Sequence, residues 1–146
     1  MASLPDGIGS ETLDFALRYA HAGLRVLPLH SVKNGKCSCG KAHCDSAGKH
    51  PRLPNGAHGA SIDEAVISNW FNRWPDANLG ITLTGLVVVD VDPRHQGNET
   101  LDALLSTNGQ FPPTSTQQTG GGGNHYLFRA NPKAHYKGGM GAGVDL

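Results

Sequence analysis

The sequence predicts an α/β (α+β) fold in which helices flank a mixed sheet. Segments with apolar residues at helical spacing alternate along the chain with short segments rich in β-branched residues. The most β-prone segment runs from Leu86 to Asp92 and reads LVVVDVD. The chain has 146 residues, close to the size of one domain, so we expect residues 1–146 to form a single unit.

The helical segments have recognisable ends. We expect the first helix to begin at Ser10 and to end at Gly23, because glycine readily closes a helix. Ser61 and Glu64 have the spacing of a capping box at the start of the second helix. The apolar positions expected to face the core are Leu13, Ala16, Leu17 and Ala20 in the first helix, and Ile62, Ala65, Val66, Trp70 and Trp74 in the second.

Short apolar segments predict five strands. Pro28 lies within the first of them and favours an edge position. The last two strands form a hairpin across the glycine-rich turn Gly120–Asn124. The expected elements are strands at Leu24–His30, Leu79–Thr84 and Leu86–Asp92, a third helix that starts at Asn98 or Thr100 and closes before Gly109, and strands at Thr114–Thr119 and His125–Arg129.

Composition excludes several classes of protein. The 12 Lys and Arg residues balance the 12 Asp and Glu residues, so contact with a nucleic acid would depend on a local basic patch. No apolar run approaches the roughly 18 residues of a membrane-spanning helix. The N-terminus also lacks the basic-then-apolar layout of a signal peptide. We therefore expect a cytoplasmic protein without a membrane partner.

A polar insert at about residues 31–60 contains every cysteine of the chain. Loops of this length are uncommon in compact domains unless something ties them down. Thiolates and an imidazole are suitable ligands for a closed structural Zn²⁺ site. The expected zinc ligands are Cys37, Cys39, Cys44 and His50. His30 and His43 are alternative nitrogen ligands, and free thiols in a surface loop are the alternative without a metal.

Asp90 and Asp92 end the most β-prone segment. Side chains two residues apart on a strand project from the same face, so both carboxylates point the same way. Two adjacent carboxylates resist joint ionisation unless a cation lies between them, and Mg²⁺ or Mn²⁺ would relieve their repulsion. The alternative is a strand that ends in solvated acids before Pro93. Arg94, which follows, could reach a phosphate, but we expect it to be solvated.

The turn of four glycines before His125 is a candidate anion site. Successive backbone N–H groups in glycine-rich turns form nests that bind phosphates. His125 opens the next expected strand and can donate a hydrogen bond to a phosphate oxygen. The turn is not a P-loop, because no Lys follows the glycines. The alternative is a flexible hairpin with an incidental histidine.

Taken in order, these motifs resemble the bifunctional primase-polymerase (Prim-Pol) domain of the archaeo-eukaryotic primase superfamily, found in phage and plasmid replication proteins. The family has three motifs: an acid pair on a strand, a small residue followed by any residue and His, and a hydrophobic residue followed by Asp. The resemblance covers most of the chain, from Ala16 to Asp145. The segments that carry it are Gly48-Lys49-His50-Pro51, Asp90-Val91-Asp92-Pro93, Thr119 to His125 with Tyr126-Leu127-Phe128, and Gly143-Val144-Asp145-Leu146.

The resemblance implies an RNA-recognition-motif-like catalytic core and template-directed nucleotidyl transfer, that is, DNA primase and DNA polymerase activity. It implies that Asp90, Asp92 and Asp145 hold two Mg²⁺ or Mn²⁺ ions and that His125 contacts the incoming triphosphate. The expected nucleotide-binding residues are Gly122, Gly123, Asn124 and His125. Gly123 stands where many relatives carry Ser.

The implied partners are a single-stranded DNA template, a primer, nucleoside triphosphates and a helicase domain on the same polypeptide. Family members usually continue past the third motif, so we expect this chain to be an N-terminal fragment of a larger replication protein that polymerises poorly alone. Two other functions fit parts of the pattern. One is a non-catalytic, zinc-bearing module that binds single-stranded nucleic acid, and the other is a metal-dependent nuclease.

Overall fold

The structure is a computed structural model that describes residues 8–146. The chain divides into two compact units, one that ends at Thr84 and one that runs from Gly85 to Leu146. The α/β class is confirmed, and every strand pairing in the described range is antiparallel where a mixed sheet was expected. That residues 1–146 act as one catalytic domain stays a prediction. None of the helices in the described range is long and apolar enough to cross a bilayer.

Within residues 8–84 the first unit has two α-helices and two short antiparallel sheets. Strand β1 pairs with β4, and β2 pairs with β3. A 3-10 turn lies near the end of the insert, at Gly56–Gly59. The elements are α1 (Ile8–His21), β1 (Val26–Leu29), β2 (Val32–Lys33), β3 (Lys36–Cys37), α2 (Glu64–Arg73) and β4 (Asn78–Ile81).

Helix α1 begins at Ile8, so Ser10 lies within the helix and the prediction of a cap at Ser10 was wrong by two residues. Its C-terminus is as expected: Gly23 has φ +84°, and its N–H donates to the carbonyl of Ala20. The N–H of Leu24 donates to the carbonyl of Tyr19, which completes a Schellman motif. The core of this unit consists of Ala16, Ala20, Val26, Ile67, Phe71 and Ala77.

Helix α2 differs from its prediction in its N-terminal cap and in which of its faces is buried. Asp63, and not Ser61, caps the helix, because the Asp63 carboxylate accepts a hydrogen bond from the N–H of Val66. Ile67 and Phe71 are buried, whereas Ile62 and Val66 are exposed. Trp70 and Trp74, which the predicted stripe included, do pack against the core. Two overlapping apolar stripes fit the segment, and packing selects the one that contains Ile67 and Phe71.

The second unit is a four-stranded antiparallel sheet with one helix. The strand order is β6-β7-β5-β8. A 3-10 turn at Pro93–His95 joins β5 to the helix. The elements are β5 (Leu86–Val91), α3 (Gly97–Asn108), β6 (Ser115–Gln118), β7 (Asn124–Arg129) and β8 (Val144–Asp145). The expected hairpin across the glycine-rich turn is therefore confirmed.

Alternation along β5 separates a core face from an open face. Val89 and Val91 are buried and cluster with Leu101 of α3 and with Val144 of β8. Asp90, which lies between the two valines, is exposed on the other face. Gly85, which precedes β5, takes a left-handed conformation with φ +72°. Strands β4 and β5 belong to separate sheets, where one sheet was expected.

Candidate metal and nucleotide sites

The insert contains a hairpin that the sequence interpretation missed. Strands β2 and β3 are joined by Asn34 and Gly35, whose φ angles are +52° and +73°. Positive φ at both central residues is typical of the type I′ turn, and Asn-Gly is its preferred sequence. The dipeptide was therefore a usable signal. This hairpin places Cys37, at the end of β3, with its side chain buried.

The four predicted zinc ligands converge. Their ligand atoms all lie within 4.8 Å of one another. Nε2 of His50 is 3.4 Å from Sγ of Cys37 and 3.5 Å from Sγ of Cys44. Among residues 8–146, Cys37, Cys39, Cys44 and His50 form the only such group of three or more His, Cys, Asp or Glu side chains. The alternatives His30 and His43 do not belong to it.

The environment of the cluster shifts the pKa values of two of its thiols in opposite directions. The backbone N–H of Cys39, with smaller contributions from the N–H of Gly48 and from His50, lowers the pKa of the Cys37 thiol to about 6. The N–H of Ser46 lowers the pKa of the Cys44 thiol, but burial and the neighbouring cysteines outweigh it, so this pKa is raised. A thiolate at Cys37 is thus favoured near neutral pH. Thiolate is the form that ligates Zn²⁺.

Hydrogen bonds fasten the insert to the first unit. The N–H of His30 donates to the carbonyl of His50 over 2.8 Å, and the two imidazole rings lie 4.4 Å apart between centroids. Nδ2 of Asn78 on β4 donates to the carbonyl of Gly48. Gly48 has φ +74°, and a Cβ there would lie 3.0 Å from the side chain of Val32 and 3.2 Å from that of Asn78, so the position has little room for a side chain. The C-terminal end of the cysteine loop is therefore fixed to the residue that follows β1 and to β4.

A second network lies beside the insert. The Ser31 hydroxyl donates to the Asp76 carboxylate over 2.7 Å, and the Arg52 guanidinium contacts both. The Ser31 hydrogen bond is the main reason that the pKa of Asp76 lies below its usual value, and Arg52 contributes. Nε of Arg52 also donates to the carbonyl of Leu29, so its buried side chain joins the end of the insert to β1. The sequence interpretation did not identify this network.

In the second unit, a cross-strand row brings together three of the predicted catalytic residues. Asp90 on β5 pairs with His125 on β7 and, on its other side, with Asp145 on β8. Directly opposed residues of an antiparallel sheet share a face. Nε2 of His125 lies 3.4 Å from Oδ1 of Asp90. Gln117 on β6 continues the row beyond His125. The side chains of Asp90 and Asp145 are exposed on this face.

Asp92 is engaged by its own chain. Its Oδ1 accepts hydrogen bonds from the backbone N–H and from Nε of Arg94, and its Oδ2 accepts from Nη2 of Arg94. Nδ1 of His95 lies 3.0 Å from the same Oδ2. Arg94 is the main reason that the pKa of Asp92 lies far below its usual value. Arg94 is exposed, as expected, and its guanidinium also forms a two-point ion pair with Asp92, which the sequence interpretation did not identify.

Three glycines pack against the backbone around Asp92. A Cβ at Gly97 or at Gly143 would lie 2.6 to 2.7 Å from the carbonyl oxygen of Asp92. A Cβ at Gly123 would collide with the carbonyl oxygen of Val91. Gly123 is therefore required here by close backbone approach, at the position where Ser was expected in many relatives. The sequence interpretation instead took the glycines before His125, Gly123 among them, as giving a phosphate close access to the backbone amides.

The glycine-rich turn is internally hydrogen-bonded. The N–H of Gly122 donates to the carbonyl of Thr119, and the N–H of Gly123 donates to the Thr119 hydroxyl. Gly122 has φ +81°, which permits the tight turn. Two of the amides that were expected to form a phosphate nest are thus directed inward, to Thr119. His125, at the start of β7, remains at the open face.

The model of one protein family matches residues 16–146, nearly the whole chain. That family is described as the bifunctional DNA primase/polymerase, N-terminal (Prim-Pol) domain. The chain belongs to the Prim-Pol family. No significant match to a curated protein or to a solved structure was found. Membership confirms the resemblance drawn from the motifs and associates this Prim-Pol domain with primase and polymerase chemistry on DNA and nucleotide substrates.

The residues of this Prim-Pol domain fit two kinds of metal to different degrees. The three thiols and one imidazole of the cysteine cluster could hold Zn²⁺, because they are four converging ligands of the preferred types. The carboxylates of Asp90, Asp92 and Asp145 are hard oxygen ligands of the kind that Mg²⁺ and Mn²⁺ prefer. In the described chain these three do not converge as the cysteine cluster does. The carboxylate of Asp92 is instead engaged by Arg94 and His95.

Proposed function

We propose that this Prim-Pol domain catalyses template-directed nucleotidyl transfer in the replication of phage or plasmid DNA. One observation carries the proposal: strand pairing aligns Asp145, Asp90 and His125 in a single row across β8, β5 and β7. The row brings acids that are 55 residues apart in sequence (145 minus 90) onto one face. In this scheme Asp90, Asp92 and Asp145 hold Mg²⁺ or Mn²⁺.

Divalent ions supply charge neutralisation and orientation of the attacking and leaving oxygens in phosphoryl transfer. The oxygen of a primer 3′-hydroxyl, or of the first nucleotide during initiation, forms a bond to the α-phosphorus, and the bond to the pyrophosphate oxygen breaks. His125 donates a hydrogen bond to the triphosphate from the face that it shares with Asp90. Gly122, Gly123 and Asn124 fix the turn from which His125 projects.

We assign the cysteine cluster a structural Zn²⁺, which holds the insert in one conformation. All four ligands come from within a segment of 14 residues, Cys37 to His50. Zinc would close this segment on itself, and it would add folding free energy where apolar contacts are few. The free thiols of the described chain suit a reducing compartment such as the cytoplasm.

The insert also supplies the local basic patch that a template strand needs. Between Ser31 and Arg52 there are four Lys and one Arg against a single acid, Asp45, although the whole chain has no net charge. Lys33 and Lys36 are directly opposed on the hairpin, and both are exposed. Opposed like charges destabilise a hairpin unless an anion lies beside them. The phosphates of single-stranded DNA are such an anion.

The decisive experiment is nucleotide incorporation on a primed single-stranded DNA template with Mg²⁺ or Mn²⁺. The wild-type chain is compared with Asp90→Asn and with the matched control Asp102→Asn, which changes an exposed acid on α3. Incorporation that Asp90→Asn abolishes and that Asp102→Asn retains would support the proposal. Degradation of the template, with no extension, would favour a nuclease instead. Template binding without either reaction, together with Mn²⁺ binding that Asp90→Asn does not weaken, would favour the non-catalytic module.

A further inference from the structure

The carboxylate of Asp92 is fully occupied in the free protein. Each of its oxygens has two polar neighbours: the backbone N–H and Nε of Arg94 at one, and Nη2 of Arg94 with Nδ1 of His95 at the other. The two contacts from the Arg94 side chain, at 3.0 and 2.9 Å, form the forked arrangement that makes Arg-carboxylate pairs strong. A metal ion that binds Asp92 must compete with this guanidinium for the same oxygens.

The same guanidinium lies against the glycine-rich turn. A Cβ at Gly121 would lie 3.3 Å from Cζ, 3.4 Å from Nη2 and 3.5 Å from Nε of Arg94. Glycine at this position therefore leaves the guanidinium face open to the turn. The Arg94 side chain is 69% exposed and bends back to Asp92 two residues earlier in the chain, so it can move without disturbing the sheet. It lies between the acid and the segment assigned above to the triphosphate.

We infer that Arg94 is a triphosphate-binding residue. In the free protein its guanidinium is paired with Asp92, and it becomes available to the triphosphate only when Asp92 binds a metal ion. The inference rests on the proposed function, in which Asp92 is a metal ligand. In that scheme Asp92 would exchange the guanidinium for a divalent cation, whose charge would repel Arg94. The freed guanidinium then binds the triphosphate, since Arg matches phosphate oxygens with the same fork that it offers a carboxylate. Metal and nucleotide therefore each favour the binding of the other.

This exchange has a thermodynamic signature. In the free protein Arg94 competes with the metal, so removing its side chain strengthens metal binding in the absence of nucleotide. With the metal bound, Arg94 assists the nucleotide, so the same change weakens nucleotide binding. The mutual enhancement between the two ligands must be equal in both directions, and it disappears with the guanidinium. A residue that merely stiffened the turn would weaken both ligands or neither.

Mutation of Arg94 can remove its side-chain ion pair with Asp92 and leave its backbone hydrogen bond to Asp92 in place. The N–H of Arg94 donates to Oδ1 of Asp92 whatever side chain position 94 carries, so the turn keeps that hydrogen bond in any variant. Arg94→Ala removes the fork and keeps the cap. Arg94→Lys keeps the charge, but it cannot make the two-point contact. Arg129→Ala is the matched control, because Arg129 is exposed at the far end of β7 and pairs with Leu86 instead of Asp90.

The experiment titrates the zinc-loaded chain with Mn²⁺ alone, with a non-hydrolysable deoxynucleoside triphosphate, and with each in the presence of the other, by calorimetry or by Mn²⁺ paramagnetic resonance. We expect Arg94→Ala to tighten binding of Mn²⁺ alone by about five-fold or more and to reduce the mutual enhancement by a similar factor. Arg94→Lys should fall between Arg94→Ala and the wild type, and Arg129→Ala should match the wild type. Circular dichroism confirms that each variant is folded.

The outcomes distinguish this inference from the proposed function. If Asp90→Asn and Asp145→Asn weaken Mn²⁺ binding but Arg94→Ala binds Mn²⁺ no more tightly than the wild type, Arg94 is not the competitor and the inference is wrong. If Asp90→Asn and Asp145→Asn leave Mn²⁺ binding unchanged, the metal site itself is misassigned and both proposals fail. Should Arg94→Ala not fold, Arg94→Lys decides, since tighter Mn²⁺ binding is still expected from it.

Discussion

Asp145 lies directly opposite Asp90 on paired antiparallel strands, so two carboxylates face each other at the open side of the sheet. Opposed like charges are unfavourable in a sheet. The pairing is continued by the N–H of Asp92, which donates to the carbonyl of Gly143, and the buried side chain of Val144 fixes β8. The sheet therefore places the repulsion at a defined position, where a cation would relieve it.

Asp145→Asn should raise the Tm of the metal-free chain by roughly 1–3 °C, because it removes one of the two opposed charges. The same variant should lose most of the increase in Tm that Mg²⁺ or Mn²⁺ gives the wild type. Thermal unfolding with and without the metal measures both effects. Asp102→Asn serves as the control, since it removes an equal charge from α3 and should keep the metal response. A metal response retained in full by Asp145→Asn would contradict a role for Asp145 as a ligand.

The zinc assignment predicts close to one equivalent of zinc per chain after purification without added metal. His50→Ala should lower that content and leave thiols that react with a thiol reagent, because it removes the ligand nearest Cys37 and Cys44. His43→Ala is a close control: His43 is exposed, adjoins Cys44 and lies outside the cluster. Metal analysis and thiol titration check the pair. Equal zinc contents in the two variants would rule out His50 as the nitrogen ligand.

Chelation should act locally. The insert is tied to β1 and β4 by the hydrogen bonds of His30, Gly48 and Arg52, whereas α1 and α2 pack through a separate apolar cluster. Removal of zinc should therefore increase amide exchange within residues 31–52 first. Amides in the cores of α1 and α2 should keep most of their protection. Uniform loss of protection across the first unit would show that zinc supports the whole unit.

How far the sequence predicts this molecule depends on the kind of signal. Periodicity identified α1, and the two glycine-bounded strands identified the β6–β7 hairpin, because both patterns are local. The buried face of α2 could not be predicted from its own segment. Ile62 and Val66 are as apolar as Ile67 and Phe71, and only the packing partner selects between the two faces. A tertiary partner has no signature in the segment that it covers.

Features of the candidate site also differ in whether the sequence reveals them. Spacing within 14 residues was enough to identify the cysteine cluster, since its ligands are close in sequence. The Asp92–Arg94 ion pair is equally close, but an exposed Arg beside an acid is so common that sequence gives no reason to expect a fork. The packing of Gly97 and Gly143 around Asp92 joins distant segments, so glycine alone could not reveal it.

Gly97→Ala should destabilise the protein by about 1–3 kcal/mol, although Ala is the better helix former. The reason is steric: the new methyl group would lie 2.6 Å from the carbonyl oxygens of Asp92 and Gly143, in backbone that cannot yield cheaply. Gly120→Ala is the control, because a Cβ there has no neighbour within 4 Å. Urea unfolding of both variants measures the difference. An unchanged or stabilised Gly97→Ala would mean that this turn is looser than the structure shows.

The basic hairpin of the insert can be tested through salt. Replacing both Lys33 and Lys36 by Gln should weaken binding of single-stranded DNA. It should also reduce the slope of the logarithm of the binding constant against the logarithm of the salt concentration by about 1.4, which is roughly 0.7 for each phosphate that a lysine no longer neutralises. The hairpin itself should not suffer, because the change removes two directly opposed positive charges. The matched control replaces Lys133 and Lys137, which are exposed in the second unit, and it alters net charge equally. Fluorescence anisotropy of a labelled oligonucleotide over a range of salt concentrations gives the slope for each double variant. An equal reduction of slope in the two variants would assign the binding to overall charge instead of to this hairpin.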